Sequence, residues 1–507
     1  MKTKPVYRQE QIARLTDGVV ESSRTGHAGG EEEVKAHGLS EHFGAASTME
    51  PGKVATHDLS RYLANLTADL DTMMQLLATL PPSVTVFGGA RLAEDDPYYK
   101  VAVEIGRQLA AAGLAPCTGG GPGAMSAVPE GFLTGLEQIR LGVLKKTPAQ
   151  PLVGGLSPGA NPEDQRTQGF NIILPAEQRL NPRVQISTSL REFPFRKLAL
   201  YENCRGLVTM PGGYGTLDEL FEVWTLAARG KHNDPMVVAG SKFWAPLFAA
   251  IEKVAVVDRR LIDETVFAKM RVLDDPQQVV AHLAGATSVR GFEERPEILH
   301  RRLRTEIRRA LTVVSRLPPA VAMVGGLGTH PDDPEVAAIR EVARRATASG
   351  VALRIAGPLG VGGAVVAGAQ AAKADAAVQG FLLAGFPAPE TPGLKIHMRV
   401  SDLITEKELL SRNIRGLVAG PGGLGTLGKV FTLLCEIQTG KVPKVPVVLV
   451  GKSFWQPIFD AIKNTMLDDH AYAVHGWPRP RHTIAAEDLS LVTITDDPAE
   501  VARIIGA

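Results

Sequence analysis

Cysteine is scarce in this sequence. Its 507 residues hold three, Cys117, Cys204 and Cys435, far apart and without Cys-x-x-Cys spacing. That excludes a disulfide scaffold and a cysteine zinc site, and it fits a reducing compartment, so a cytoplasmic location is expected. Net charge is nearly absent too: 55 Lys+Arg stand against 54 Asp+Glu, a formal +1. With no global positive field, nucleic acid is not an expected partner. Aromatics are only 5%, which argues against a stacking platform for single strands. The longest apolar runs, such as Val445–Val450, fall far short of the ~20 residues that span a bilayer, so no membrane partner is expected. The opening MKTKPVYRQEQIARL lacks the apolar core of a secretory signal.

What is present is ordinary globular composition, 44% hydrophobic and 21% charged, in a chain long enough for several domains. Glycine (52) and proline (35) punctuate it heavily. Residues 1–57 are polar and mixed and read as a flexible N-terminal arm. A helix is expected from Asp58, a plausible N-cap, to Leu80, with Leu59, Leu63, Leu66, Leu70, Met73 and Leu77 on one face. Strand Val84–Phe87 then runs into Gly88-Gly89, a helix spans Tyr98–Ala112, and strand Leu114–Cys117 opens into Thr118-Gly119-Gly120-Gly121-Pro122-Gly123. Strand Gly206–Met210 leads into Pro211-Gly212-Gly213-Tyr214-Gly215-Thr216 and a helix to about Arg229. Short apolar strands alternating with helices indicate an α/β fold, a doubly wound parallel sheet whose ligands bind at the strands' carboxyl ends.

The second half repeats the first. GLVTMPGGYGTLDEL (206–220) answers GLVAGPGGLGTLGKV (416–430) at an offset of 210, and PPSVTVFGGA (81–90) answers PPAVAMVGGLG (318–328) at 237. The fall in offset means that copy two lacks about 27 residues, which the spacing assigns to the stretch 169–182. The expected organisation is the arm, a first Rossmann-like domain at 58–290, a linker helix at 291–317 and a second such domain at 318–507. A hinge is expected at 285–295, and the Arg-rich face of the linker helix is expected to be solvated or ion-paired.

The copies diverge in chemistry. Glu219 becomes Lys429 and Arg196 becomes Glu406, Lys197 stays Lys407, and TGGGPG becomes IAGPLG. One competent copy beside a degenerate one is the simplest reading. Glycine-rich loops between a strand and a helix bring backbone N–H groups close to an anion, and the helix dipole adds to them. TGGGPG is neither a Walker A loop nor a GxGxxG fingerprint. Thr216 suits an N-cap or a phosphate ligand, and Asp218 and Glu219 read as first-turn acids that the helix dipole would favour. His27, His37, His42 and His57 are scattered, and no metal or other cofactor is expected.

The pair GGGPGAM and PGGYGTLDE, with Arg196-Lys197 ahead of the second, resembles the LOG ("lonely guy") family, often labelled lysine decarboxylases. The resemblance covers 81–290 well and 318–507 weakly. It implies a phosphoribohydrolase that cleaves nucleoside 5′-monophosphates to a free base and ribose 5-phosphate. On this resemblance Gly119, Gly120, Gly121 and Gly123, with Gly212, Gly213, Gly215 and Thr216, would bind the 5′-phosphate. Glu219 would be the catalytic carboxylate, and Arg196 would stabilise the transition state. Lys197 would assist, Arg91 would approach phosphate or base, Met125 would line the base pocket, and Glu177, Gln178 and Asn181 would shape base recognition. The family's site lies near a homodimer interface, so the tandem chain is expected to form an intramolecular pseudodimer, with homo-oligomers of it as a further partner state. A nucleotide-binding sensor or scaffold with little turnover, and a cytokinin-activating enzyme, are the alternatives. Copy two would buttress the site of copy one or retain an altered nucleotide site.

Overall fold

The computed structural model describes residues 56–147, 165–174, 180–202, 204–285, 296–386, 389–467 and 482–507. The expected arm, apart from residues 56 and 57, and the expected hinge beyond Gly285 lie outside them, as do Glu177 and Gln178.

The first copy forms strands β1 (Ser83–Phe87), β2 (Pro116–Thr118), β3 (Gln168–Ile172), β4 (Ile186–Leu190), β5 (Cys204–Thr209), β6 (Met236–Ala239) and β7 (Met270–Leu273). They pair in parallel in the order 4-3-2-1-5-6-7. The second copy forms β8 (Ala320–Val324), β9 (Ala352–Ile355), β10 (Val378–Leu383), β11 (Leu394–Val400), β12 (Ile414–Ala419), β13 (Val447–Leu449) and β14 (Val492–Ile494). Their order, 11-10-9-8-12-13-14, is the same topology again. Every residue of β1, β5 and β8 is buried, as parallel strands covered on both faces by helices must be. The winding reverses at β1, which lies between β2 and β5, and the carboxyl ends of the strands at such a switch point are where doubly wound sheets bind ligands.

Local chemistry sets these elements. Helix Pro97–Ala112 starts on Asp96, whose side chain accepts from Tyr98 N, and stops at Gly113 with φ +69°. The leading helix runs Thr56–Leu77, so it begins two residues before the expected Asp58 cap. Helix Pro296–Ser315 stands about as far ahead of β8 as Thr56–Leu77 stands ahead of β1. The expected linker helix thus occupies the place of a leading helix for copy two. The two pack together, and part of the basic face is ion-paired as expected: His300 Nε2 and Arg304 Nη1 meet Asp71 Oδ1 at 2.6 and 3.0 Å.

The position expected for the deletion is corrected by the sheet. Strand β3, inside 169–182, has a full counterpart in β10. Gln168 and Gln379 make the same hydrogen bond, to Pro81 O and Pro318 O. The offset is still 237 at Cys117 and Arg354, which pair with those two glutamines. The lost residues therefore belong between the helix Ala124–Arg140 and β3. Copy two follows the shorter helix Val361–Ala372 almost directly with β10. Two sequence anchors bracket a deletion but do not place it within the bracket.

The copies pack as a pseudodimer through the helices that follow their PGG loops, Tyr214–Ala228 and Leu424–Gln438. Phe221 and Phe431 hold the same repeat position and stack at 5.3 Å between centroids. Such a self-matched contact is what a two-fold dimer makes. Both rings are fully buried, each worth roughly 1.5–3 kcal/mol of transfer free energy.

Candidate active site

Three loops meet at the switch point of copy one: Gly88-Gly89 after β1, Gly119–Gly123 after β2 and Pro211–Gly213 after β5. Contact explains their glycines. A Cβ on Gly123, where φ is +66°, would lie 2.2 Å from Gly89 O, and one on Gly212 would lie 2.1 Å from Thr216 Oγ1. Gly89 N donates to Pro211 O and Ala124 N to Gly89 O, so backbone bonds tie the loops together. Gly120 has φ +72°, and its N–H donates to Thr118 Oγ1.

The helices that follow the second and third loops start without side-chain caps. Ala124–Arg140 begins on Gly123 and Tyr214–Ala228 on Gly213, and neither has a capping hydrogen bond. Helices elsewhere begin on capping aspartates, Asp96, Asp275 and Asp497 among them. Uncapped N–H groups at two converging helix ends form a receptor for an anion. Thr216 is therefore not the N-cap, since the helix begins two residues earlier, at Tyr214. Asp218 and Glu219 correspondingly sit in its second turn, and the first turn holds no acid. Dipole stabilisation does not account for them.

Arg196 and Glu219 do meet. Arg196 Nη1 donates to Glu219 Oε1 at 2.8 Å and its Nε donates to Phe170 O at 2.9 Å. Both side chains are buried. Burial pushes the Glu219 carboxyl above its ordinary value and Asp218 adds to this, while the Arg196 guanidinium pulls the other way. Arg196 lies so close to the glycine loop that a Cβ on Gly119 would fall 2.2 Å from its Nη2 and 2.6 Å from Met125 Sδ. Met125 also approaches Gly121. Arg91 is exposed, two residues beyond Gly89. Asn181 is bound to the loop itself: its N–H donates to Gly120 O and its Nδ2 to Met125 O.

Lys197 points elsewhere. Its Nζ lies 3.1 Å from both Asp218 oxygens and 2.7 Å from Glu222 Oε2. Lys407 of copy two reaches the same Glu222 oxygen at 2.7 Å, and Thr432 donates to Asp218 Oδ1. All five side chains are buried on the axis between the copies. The carboxylates hold Lys197 well above the usual lysine range, and the two lysines hold Glu222 down to about 2. Sequence reading missed Glu222 and Thr432. Their only signal was the 210-residue offset, which makes Thr432 the counterpart of Glu222.

Each copy also covers the other's PGG loop. Thr483 and Ile484 lie against Gly213, Tyr214 Oη donates to Asp488 O, and Leu261 and Ile262 lie against Gly423. In copy two the Arg196–Glu219 pair is replaced by its electrostatic inverse, with Lys429 Nζ 3.1 Å from Glu406 Oε2. Away from these sites, Cys204, His232 and Asp234 converge, a group the sequence did not announce. His232 Nδ1 lies 3.2 Å from Asp234 Oδ2, and the thiol donates to the same oxygen at 3.8 Å.

Comparison with known proteins decides the family. Residues 153–283 and 362–505, more than half of the chain and parts of both copies, match the family described as "Possible lysine decarboxylase". The chain belongs to this family. It is 29% identical over 178 residues to the cytokinin riboside 5′-monophosphate phosphoribohydrolase of Rhodococcoides fascians, covering 35% of this chain and 77% of that protein. It is 27% identical over 191 residues to the pyrimidine/purine nucleotide 5′-monophosphate nucleosidase of Escherichia coli K12, covering 35% of each. A probable cytokinin riboside 5′-monophosphate phosphoribohydrolase of rice is 26% identical over 172 residues, 34% of this chain and 59% of that protein. The chain thus spans about a third of the E. coli relative's length. Among the described residues no helix is long and apolar enough to cross a membrane.

Proposed function

We propose that this chain hydrolyses the N-glycosidic bond of nucleoside 5′-monophosphates, releasing a free base and ribose 5-phosphate, and that copy one carries out the reaction. The observation that carries this reading is the buried Arg196–Glu219 pair beside two glycine loops with uncapped helix ends. Relatives named for this chemistry support it.

The phosphate lies on the N–H groups of Gly119–Gly123 and Gly212–Thr216, and its binding energy fixes the ribose. As the bond to the base lengthens, positive charge grows on the ribosyl ring. The Glu219 carboxylate stabilises that charge and accepts a proton from the attacking water. Arg196 orients the carboxylate and opposes the protonation that burial favours. Met125 lines the base side of the pocket. Arg91, exposed beyond the first glycine loop, approaches the phosphate or the base. Lys197 works through Asp218 and Glu222, fixing the helix that carries Glu219, and so acts as a positioning residue.

Decarboxylation of lysine through pyridoxal phosphate does not fit these residues. A Schiff-base lysine must lose its proton readily, whereas Lys197 is held protonated by two carboxylates. The test is chromatography of free base from AMP, GMP, CMP, UMP, IMP and isopentenyl-AMP. Release of a base with ribose 5-phosphate supports the reading and names the substrate. No release from any of them, with nucleotide still bound, favours the sensor.

A further inference from the structure

Copy two contains a cavity of about 420 Å³ at the place that corresponds to the active site of copy one. This is the size of a small-molecule site. Its floor is built from the glycine loops after β8, β9 and β12, and one wall comes from the other copy, at Arg260–Ile262. Two helices start at it, Val361–Ala372 on Gly360 and Leu424–Gln438 on Gly423, again without side-chain caps. Lys429 lines it one turn into the second helix. These groups suit an anion.

Two further observations describe the rest of the ligand. Glu406 lines the cavity at 3% exposure, and its Oε2 faces Lys429 while accepting no hydrogen bond among the described residues. A buried carboxylate oxygen with spare capacity suits a hydroxyl donor. At the rim, Phe386 is 40% exposed and stacks under the Arg229 guanidinium at 5.2 Å. That surface accepts a planar ring.

The geometry points to a second binding site, in copy two, for a nucleoside 5′-monophosphate that is held and not cleaved. The phosphate lies on the uncapped loops and Lys429, a ribose hydroxyl on Glu406, and the base by Phe386. Cleavage fails because an ammonium group stands where Glu219 stands in copy one. A cation there opposes the positive charge that grows on the ribosyl ring.

The experiment is equilibrium dialysis of AMP against the full-length Glu219→Gln chain, where copy one cannot consume it. Two AMP per chain are expected, falling to one when Gly425→Glu is added. Gly425 lines the cavity, and a Cβ there meets only Lys429 Nζ and Thr225 Cγ2, both at 3.9 Å, so a side chain at this position starts without a clash. Lys429→Gln, the milder variant, is expected to weaken the second site about tenfold or more. One AMP or none per chain, with neither variant changing the count or the affinity, overturns the proposal. The inference takes its ligand class from the function proposed above, but the two fail separately. Base release by the wild-type chain tests that function alone, and loss of one bound AMP on Gly425→Glu tests this site alone.

Discussion

The two copies share one scaffold and hold opposite charges at its working point. In copy one a guanidinium on the helix Phe193–Glu202 faces a carboxylate on the helix Tyr214–Ala228. In copy two a carboxylate on Leu403–Ser411 faces an ammonium on Leu424–Gln438. An ion pair of either polarity satisfies two buried charges, so folding tolerates the exchange. The proposed chemistry does not, because only one polarity would place a carboxylate beside a developing cation. The loops differ in the same sense: Gly119, which has no room for a Cβ beside Arg196, corresponds to Ala356, and Gly121 to Pro358. Copy two keeps what the fold needs and has lost what Arg196 needs.

The largest expected effect comes from the shared axis. Glu222→Ala removes the carboxylate between Lys197 and Lys407 and leaves two buried ammonium groups with Asp218 alone. A loss of about 3–5 kcal/mol is expected in urea unfolding. A loss below 1 kcal/mol would show that the copies do not depend on this cluster. Next, Gly119→Ala, which makes copy one like copy two at this position, is expected to displace Arg196. Base release should fall on the order of 10²-fold. Unchanged turnover would show that Arg196 need not lie against the loop.

The pH profile gives a smaller effect. The Glu219 carboxyl is raised by burial, so the ionised form that the proposed reaction uses appears only at higher pH. The acidic limb of kcat should therefore lie above the ordinary glutamate value of about 4.3. The sign for stability is the reverse. A raised folded pKa contributes stability below the unfolded value, and this is lost as pH rises through the folded one. An acidic limb at or below 4.3 would assign the titration to another group. The smallest effect belongs to the leading helices, where Arg304→Ala breaks a half-exposed pair with Asp71. It should cost less than about 1 kcal/mol and shrink further with added salt.

Much of this molecule was legible in its sequence. The alternation of short apolar strands with helices gave the parallel sheets, and the internal repeat gave two of them, because both signals are local or come from comparing the chain with itself. Glu219 was legible as a candidate because it lies in the contiguous PGGYGTLDE motif, and Arg196 because the resemblance names an Arg-Lys pair ahead of that motif. The ion cluster was not, since Lys197, Glu222, Lys407 and Thr432 meet only once the copies have packed. The caps expected at Asp58 and Thr216 failed: the helices begin two residues before them, at Thr56 and Tyr214, the second on Gly213, which offers no side-chain signal. The cavity of copy two was legible only as an altered nucleotide site. Its walls come from both copies, and its lost charges drew attention away from the space behind them.

The most direct test of this account is base release from a nucleoside 5′-monophosphate by the wild-type chain and by Glu219→Gln, side by side. The account predicts stoichiometric base and ribose 5-phosphate from the wild type, and a fall of about 10²–10⁴-fold in the variant, whose copy two stays intact. Equal turnover by both would contradict it, because the carboxylate that distinguishes the two copies would then have no part in the reaction.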